Sequence, residues 1–244
     1  MARDRMATPW GDLPYYAGVP VRLGARGWTL ALAGVAAGFA CLLLPFAGQW
    51  PAAVLFVALP LIGLRLAAGS AWTAIFRRLT WRDALIGLAF GLLNLVVTLL
   101  VGLLVMEAGT PSTSNPANAL IAAMGPAELV NFFVHTALQL FGEELISVIP
   151  FLALLTLAFG PLRLPRPAAL LVALIGVSLL FAALHLPTYG WNLVQTFATI
   201  GVARLVLILP YLLTRNIWSS TIAHVVNDWL LFGAALVLGA NTAP

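Results

Sequence analysis

Long apolar stretches with almost no charged residues recur along this chain, and they limit its fold more than any other feature. Of its 244 residues, 62% are hydrophobic and only 8% are charged, whereas a soluble domain carries about 25% charged residues. A backbone in hydrocarbon must satisfy its own hydrogen bonds, and apolar segments of about 20 residues do so as helices. The sequence therefore predicts an all-α polytopic membrane protein, a bundle of about seven transmembrane helices, with six to eight allowed by the length.

The predicted spans divide the chain into three parts. Residues 1–28 form a polar segment, residues 29–125 carry three spans and a polar loop, and residues 126–244 carry the helical core with the other spans. The spans are predicted at 29–46, 51–67, 84–106, within 126–160, and at 168–186, 192–213 and 217–239. The fourth is too long for one simple span, so we expect an interfacial or tilted start. Two G-x-x-x-G pairs, in the first and third spans, predict close helix packing.

Every cation in the chain is an arginine, and the arginines alternate between loops. Four lie within residues 1–28, four between 65 and 82, two at 163 and 166, and one at 215. The intervening loops carry none, which places the N-terminus in the cytoplasm by the positive-inside rule. We therefore expect an integral protein of the bacterial plasma membrane with the lipid bilayer as its partner. The basic pI of about 10.0 reflects this topology, so nucleic acid is not expected as a partner.

Two adjacent acids, Glu143 and Glu144, lie inside the fourth predicted span. A charge at the bilayer centre costs roughly 2.5–3.5 kcal/mol, so intramembrane acids indicate function. A polar stripe recurs every four residues along this span, formed by His135, Gln139, Glu143 and Ser147. Residues at this spacing share a helix face, and Glu144 points about 100° away from it. We expect one acid to work in a cavity and a neighbouring helix to hold the other; a polar seam between helices is the alternative.

Later spans offer partners for these acids. Phe181 lies four residues before His185, so its ring can pack beside the imidazole. His224 lies four residues before Asp228, and either Asp228 or Asn227 could accept its hydrogen bond and fix its tautomer. A self-satisfied polar cluster is the alternative reading of this group.

Arg204 lies well inside the sixth predicted span. We expect it to act as a counter-charge for the acids, with snorkelling to the membrane surface as the alternative. Asn94, in the third span, is interpreted as a hydrogen bond between helices.

This set of side chains suits hydrolysis by activated water. A glutamate in apolar surroundings can act as a general base, and histidines can polarise a carbonyl or stabilise an oxyanion. No cofactor is required for that chemistry. Zinc stays an open alternative, since Glu143, His185 and His224 could supply three ligands of the types it uses. The H-E-x-x-H motif of soluble metalloproteases is absent.

The same residues carry a family resemblance. The sequence resembles the CPBP (Abi) family of membrane proteins, which includes type II CAAX prenyl endopeptidases and bacteriocin-processing or immunity proteins. Its motifs are E-E-x-x-x-R, F-x-x-x-H and H-x-x-x-N on successive helices. Glu143 and Glu144 match the first acids, the stretch from Phe181 to His185 matches the second motif in full, and His224 with its preceding residues resembles the third. The resemblance covers about residues 141–232.

The resemblance implies an intramembrane endopeptidase acting on a peptide or protein, membrane-associated or prenylated. Glu143 would be the water-activating base and Glu144 its supporting partner, while His185 and His224 would position the water and the substrate carbonyl. Asp228 stands where the third motif has Asn. Either Asp228 is protonated, or Asn227 substitutes for the missing amide, or Asp228 only orients His224.

A second departure from the motifs raises another function. Val148 stands where the first motif has Arg, which favours an inactive family member acting as an immunity or membrane binding protein. We predict that Arg204 replaces the missing cation by pairing with Glu144. A proton-coupled transporter is another alternative, although the sequence has no inverted repeat or paired broken helices.

The linear helix map raises a geometric difficulty. Glu143 and His185 lie about 27 Å from the cytoplasmic ends of their helices, and His224 only about 12 Å. We expect the turn at residues 214–216 to lie deep, or the predicted boundaries to shift.

Overall fold

The computed structural model describes residues 12–46 and 48–240, and all regular structure in these ranges is helical. The helices are α1 (Ala25–Cys41), α2 (Trp50–Ala68), α3 (Trp81–Glu107), α4 (Pro116–Ala122), α5 (Pro126–Phe159), α6 (Arg166–Leu184), α7 (Leu193–Gln195), α8 (Gly201–Leu207), α9 (Leu209–Thr214) and α10 (Ile217–Ala240). A 3₁₀ turn, Gly69–Ile75, follows α2. Helix α4 lies inside the polar stretch predicted as a loop, where Asn115 caps it and Pro116 begins it.

Six segments of the described chain are long and apolar enough to cross a membrane. They are Trp50–Ile75, Trp81–Glu107, Pro126–Phe159, Arg166–Leu184, Leu193–Thr214 and Ile217–Val237. Helix α1 occupies the position of the first predicted span but is shorter, with 17 residues. The predicted fold class, an all-α polytopic membrane protein, is confirmed, and the number of long spans is at the lower end of the predicted range.

Helix α5 is the centre of the bundle. It has 34 residues, which at 1.5 Å per residue gives about 51 Å, longer than the hydrocarbon core. Glu128 closes its first turn by accepting a 2.8 Å hydrogen bond from the backbone N–H of Gly125. The helix continues through Pro150 and is buried more than any other candidate span. Helices α1, α2, α6 and α10 pack against it, so its side chains meet several partners.

Both predicted G-x-x-x-G pairs mark close helix contacts. A Cβ on Gly34 would lie 2.6 Å from a backbone oxygen of α2. Cβ atoms on Gly87 and Gly91 would each lie 2.7 Å from backbone oxygens of α10. Only glycine allows these approaches, because an added carbon at such distances would overlap the carbonyl. The α3–α10 contact holds the part of α10 that carries His224.

The sixth predicted span is interrupted rather than continuous. After α7 the chain forms a π-helical turn, Thr196–Ile200, and then α8 and α9 with Ile208 between them. A π turn adds a residue to the helical repeat and so changes which side chains face inward. Pro210 lies in the first turn of α9 and has no N–H to continue the helix before it. The π turn directly precedes α8, the helix that carries Arg204.

The start of α10 is enclosed by the protein. Asn216, Ile217 and Ser219 are fully buried, and the Ser219 hydroxyl donates a 2.8 Å hydrogen bond to a backbone oxygen of α3. Since α10 begins inside the bundle, His224 is two turns from an already buried end. The geometric difficulty of the linear map does not arise in the structure, because His224 Nε2 lies 3.7 Å from Glu143 Oε2.

The described part of the N-terminal segment packs on the helices. The hydroxyl of Tyr15 donates to the backbone oxygen of Ala71 at 2.8 Å, and Asp12 forms a 2.7 Å ion pair with Arg166. Burial opposes the ionisation of Asp12, but hydrogen bonds from Arg166 and Tyr16 outweigh it and lower the pKa of this carboxyl. The segment is therefore tied to the beginning of α6.

Candidate active site

Glu144 and Arg204 form a fully buried ion pair. The guanidinium donates to both carboxylate oxygens, with Nη1–Oε1 at 2.6 Å and Nη2–Oε2 at 3.2 Å, and neither side chain is exposed. Arg204 Nη1 also donates to the Ser147 hydroxyl at 3.2 Å. The predicted contact between Arg204 and Glu144 is thus present. The position of Val148 holds no cation, and the positive charge comes from α8 instead.

Glu144 also orients His224. The imidazole Nδ1 lies 2.8 Å from Glu144 Oε1, and a carboxylate bound to Arg204 can only accept, so Nδ1 carries a proton. Nε2 is left facing Glu143 Oε2 at 3.7 Å and Asp228 Oδ1 at 3.8 Å, both too long for direct hydrogen bonds. The expectation that Asp228 or Asn227 fixes the His224 tautomer is therefore wrong. Spacing by four residues brings Asp228 near, but Glu144 is closer.

His185 lies at the C-terminal end of α6 and is oriented by its own helix. Its Nδ1 lies 2.8 Å from the backbone oxygen of Phe181, which can only accept, so Nδ1 carries the proton. Nε2 is then turned towards Glu143 Oε2, at 4.0 Å. The Phe181 ring lies 4.5 Å from the imidazole between centroids, as the spacing predicted.

Phe181 contacts a second set of groups beyond His185. Its ring centroid lies 5.2 Å from Arg204 Cζ and 6.1 Å from the His224 ring centroid. A guanidinium over an aromatic face is attracted by the ring quadrupole. The ring therefore separates and supports the three cationic or titratable side chains that surround the acids.

Glu143 faces the open side of this arrangement. Its Oε1 accepts a 3.3 Å hydrogen bond from Gln139 Nε2, the neighbouring residue on the predicted polar stripe. Its Oε2 faces the Nε2 atoms of both histidines across gaps of 3.7 and 4.0 Å. Gaps of this size suit one bridging water.

Asp228 belongs to a different hydrogen-bonded chain. Its Oδ1 accepts from Asn227 Nδ2 at 2.9 Å, and Asn227 Oδ1 accepts from Asn94 Nδ2 at 3.0 Å. The Asp228 side chain is 25% exposed and lines a cavity that it shares with Glu143. The third helix therefore reaches the site through two amides.

A cavity of about 710 Å³ opens in front of Glu143, between the start of α2, helix α4 and α10. Among its described lining residues, the charged side chains are Glu143 and Asp228. Tyr189 also lines it; burial raises the pKa of Tyr189 to about 12, with further increases from Asp228 and Glu143. Its hydroxyl is therefore a donor at neutral pH. Its volume lies in the range of about 300–1,000 Å³ that is typical of ligand-binding pockets.

The zinc alternative can be tested against these distances. Tetrahedral zinc with bonds of about 2.0–2.2 Å places its ligand atoms about 3.3 Å apart. Glu143 Oε2 lies 3.7 Å from His224 Nε2 and 4.0 Å from His185 Nε2. Within residues 12–46 and 48–240, no group of three or more His, Cys, Asp or Glu side chains has an arrangement that would hold a metal ion. In this geometry the three proposed ligands do not fit zinc.

Comparison with known families adds a second line of evidence. Residues 125–230 match the family model described as type II CAAX prenyl endopeptidase Rce1-like. No curated protein and no solved structure matches the chain. The matched residues include the acid pair, both site histidines, Arg204 and Asp228, whereas Asn94 lies outside. Residues 125–230 are therefore similar to the CAAX-protease-like family, and the long apolar helices fit an integral membrane protein.

Proposed function

We propose that the protein is an intramembrane endopeptidase of the plasma membrane that hydrolyses a peptide bond with a water activated by Glu143. The observation that carries the proposal is the position of Glu143 Oε2, opposite two oriented imidazole nitrogens at 3.7 and 4.0 Å. The family match over residues 125–230 supports peptidase chemistry in general. The alternating arginines support a cytoplasmic N-terminus.

The proposed reaction uses Glu143 as general base. A water between Glu143, His185 and His224 gives a proton to the carboxylate while its oxygen attacks the substrate carbonyl carbon. The carbonyl oxygen becomes an oxyanion that a protonated imidazole stabilises. The proton held by Glu143 then passes to the leaving amine, the C–N bond breaks, and the carboxylate is regenerated.

Glu144 and Arg204 support this chemistry without touching substrate. Glu144 fixes the His224 tautomer through Nδ1, so that Nε2 faces the reaction centre. A carboxylate buried without a partner would be costly, and the Arg204 guanidinium neutralises it. Arg204 in turn is enclosed by Ser147 and Phe181.

A non-catalytic binding or immunity role is the second candidate. Val148 favours it, because the motif arginine is missing. The Arg204 pair weakens that argument, since it brings an arginine to the same acid from another helix. For a proton-coupled transporter, paired broken helices would be expected, and the described residues contain one interrupted span, Leu193–Thr214.

The charge of the cavity predicts a substrate preference. Its charged lining residues are two carboxylates, so we expect peptides with Lys near the scissile bond to be cleaved faster than matched Glu peptides. One ion pair of about 1 kcal/mol corresponds to about a fivefold difference in kcat/KM. The assay uses purified protein in liposomes and a panel of prenylated and unprenylated peptides carrying Lys, Gln or Glu, with products identified by mass spectrometry.

Asp228→Asn is the matched control for this preference. The substitution should reduce the Lys-to-Glu ratio, since it removes one of the two carboxylates and keeps the shape. Equal rates for Lys and Glu peptides would reject the charge preference. Folded wild-type protein that cleaves no peptide of the panel would contradict the endopeptidase proposal and support the binding role.

We expect the activity to survive metal removal. The gaps around Glu143 are too wide for a zinc ligand set, and a glutamate base needs no metal. Turnover after exhaustive treatment with 1,10-phenanthroline should stay within about twofold of the untreated rate, with metal content measured in parallel. Stoichiometric zinc, together with loss of activity on chelation and its return when zinc is added, would overturn this prediction.

A further inference from the structure

A chain of two buried amides joins α3 to Asp228. Asn94 is fully buried on α3, and its Nδ2 donates to Asn227 Oδ1 at 3.0 Å. Asn227 is 4% exposed, and its Nδ2 donates to Asp228 Oδ1 at 2.9 Å. Asp228 Oδ1 in turn lies 3.8 Å from His224 Nε2. The third helix is thus connected to the reaction centre although it supplies no group that touches it.

The chemistry of Asp228 sets the direction of this chain. An ionised carboxylate only accepts, so Asn227 must present its NH₂ group to Asp228. Its carbonyl oxygen then faces Asn94, which must donate. Each amide orientation follows from the one before it, and the order cannot be reversed while Asp228 is ionised.

The packing of α3 fixes the first amide in place. Gly87, Gly91 and Asn94 lie at helical spacing on one face, and both glycines are in backbone contact with α10. An amide side chain that only joins two helices would use both its hydrogen-bond donor and its acceptor. Asn94 Oδ1 is buried without a hydrogen-bond partner among the described residues, so Asn94 serves α10 as a donor only.

We propose that Asn94 is a positioning residue for peptide hydrolysis: acting through Asn227, it holds the Asp228 carboxylate beside His224. Asp228 so placed stabilises the positive charge that His224 carries while a proton is in transit. Asn94 lies outside the family-matched residues, so this contribution comes from the N-terminal helices. The inference rests on the proposed endopeptidase function.

Variants of Asn94 test this through kinetics. Asn94→Leu and Asn94→Asp remove the donor and nearly keep the volume, and each should lower kcat about tenfold with KM within twofold. Asn94→Gln retains an amide and should recover part of kcat. In an Asn227→Ala background, Asn94→Leu should change kcat less than twofold, because the path to Asp228 is already cut. Ser178→Ala is the control variant. It removes a buried hydroxyl that, like Asn94 Oδ1, has no hydrogen-bond partner among the described residues, and it should leave kcat unchanged.

A second measurement does not depend on turnover. In protein labelled with ¹⁵N-asparagine, the side-chain NH₂ resonances of Asn227 should be assigned by their loss in Asn227→Ala. Asn94→Leu should shift them and speed their exchange, whereas Ser178→Ala should not. Wild-type protein without peptidase activity would reject the proposed function while these resonances still report on the amide chain. Unchanged Asn227 resonances, or kcat losses that multiply in the double variant, would overturn the positioning role.

Discussion

Glu143→Gln lowers kcat for peptide cleavage by about 10³-fold, within the range that removal of a general base produces. Glutamine keeps the shape of the side chain and can still contact Gln139, but its amide cannot take a proton from water. The proposed mechanism contains no second base opposite both imidazoles. The measurement is single-turnover cleavage in liposomes, together with thermal unfolding to show that the fold is kept.

Glu107→Gln is the matched control for this loss. Glu107 is an exposed acid at the end of α3, and its replacement makes the same chemical change outside the residues that line the cavity. We expect wild-type turnover from that variant. If Glu143→Gln also turned over at the wild-type rate, Glu143 would not be the base, and the catalytic arrangement would have to be assigned to other groups.

Arg204→Leu destabilises the protein by about 3–5 kcal/mol, because it leaves the Glu144 carboxylate buried without its cation. Both partners are completely buried, so water cannot replace the guanidinium. Activity should fall as well, since Glu144 then loses the partner that holds it against His224. Unfolding by denaturant titration in mixed micelles gives the free-energy change, and the cleavage assay gives the second readout.

A charge relocation gives the sharpest form of this test. Position 148 is four residues after Glu144 on the same helix face, so Val148→Arg offers the arginine that the family motif places there. Alone, it adds an unpaired buried charge and should destabilise the protein. Combined with Arg204→Leu it should recover part of the lost stability and activity.

Removing both charges, in Glu144→Leu with Arg204→Leu, should cost less stability than removing Arg204 alone. Simple additivity in these pairs would contradict the proposed compensation.

The hydropathy of the chain and the free-energy cost of burying a charge were sufficient to predict the long helices and one buried ion pair. The apolar runs located the long helices to within a few residues, because membrane spans have few alternatives to a helix. The pairing of Arg204 with Glu144 followed from the cost of a lone charge in a bilayer. Both arguments depend on strong, local energies that need no knowledge of how helices are arranged.

The rest depended on tertiary geometry. Asp228 was expected to orient His224 because the two are four residues apart, but spacing does not show which of several carboxylates wins the contact, and Glu144 does. The interrupted sixth span was missed, although Pro210 was a visible signal for a break. Asn94 was predicted to form a hydrogen bond between helices, and it does so with Asn227, but a sequence does not reveal that this partner reaches the site.

The origin of the arginine in the site has a consequence for biogenesis. A cation on the same helix as Glu144 would accompany that acid from the moment the helix entered the membrane. Here the cation belongs to α8, about sixty residues later in the chain, and so reaches Glu144 only when that segment docks. Until then the Glu144 carboxylate lacks its counter-charge, and His224, later still in the chain, has yet to reach it. In the proposed mechanism, a partly assembled chain is therefore unable to cut, and the enzyme is kept silent during its own insertion.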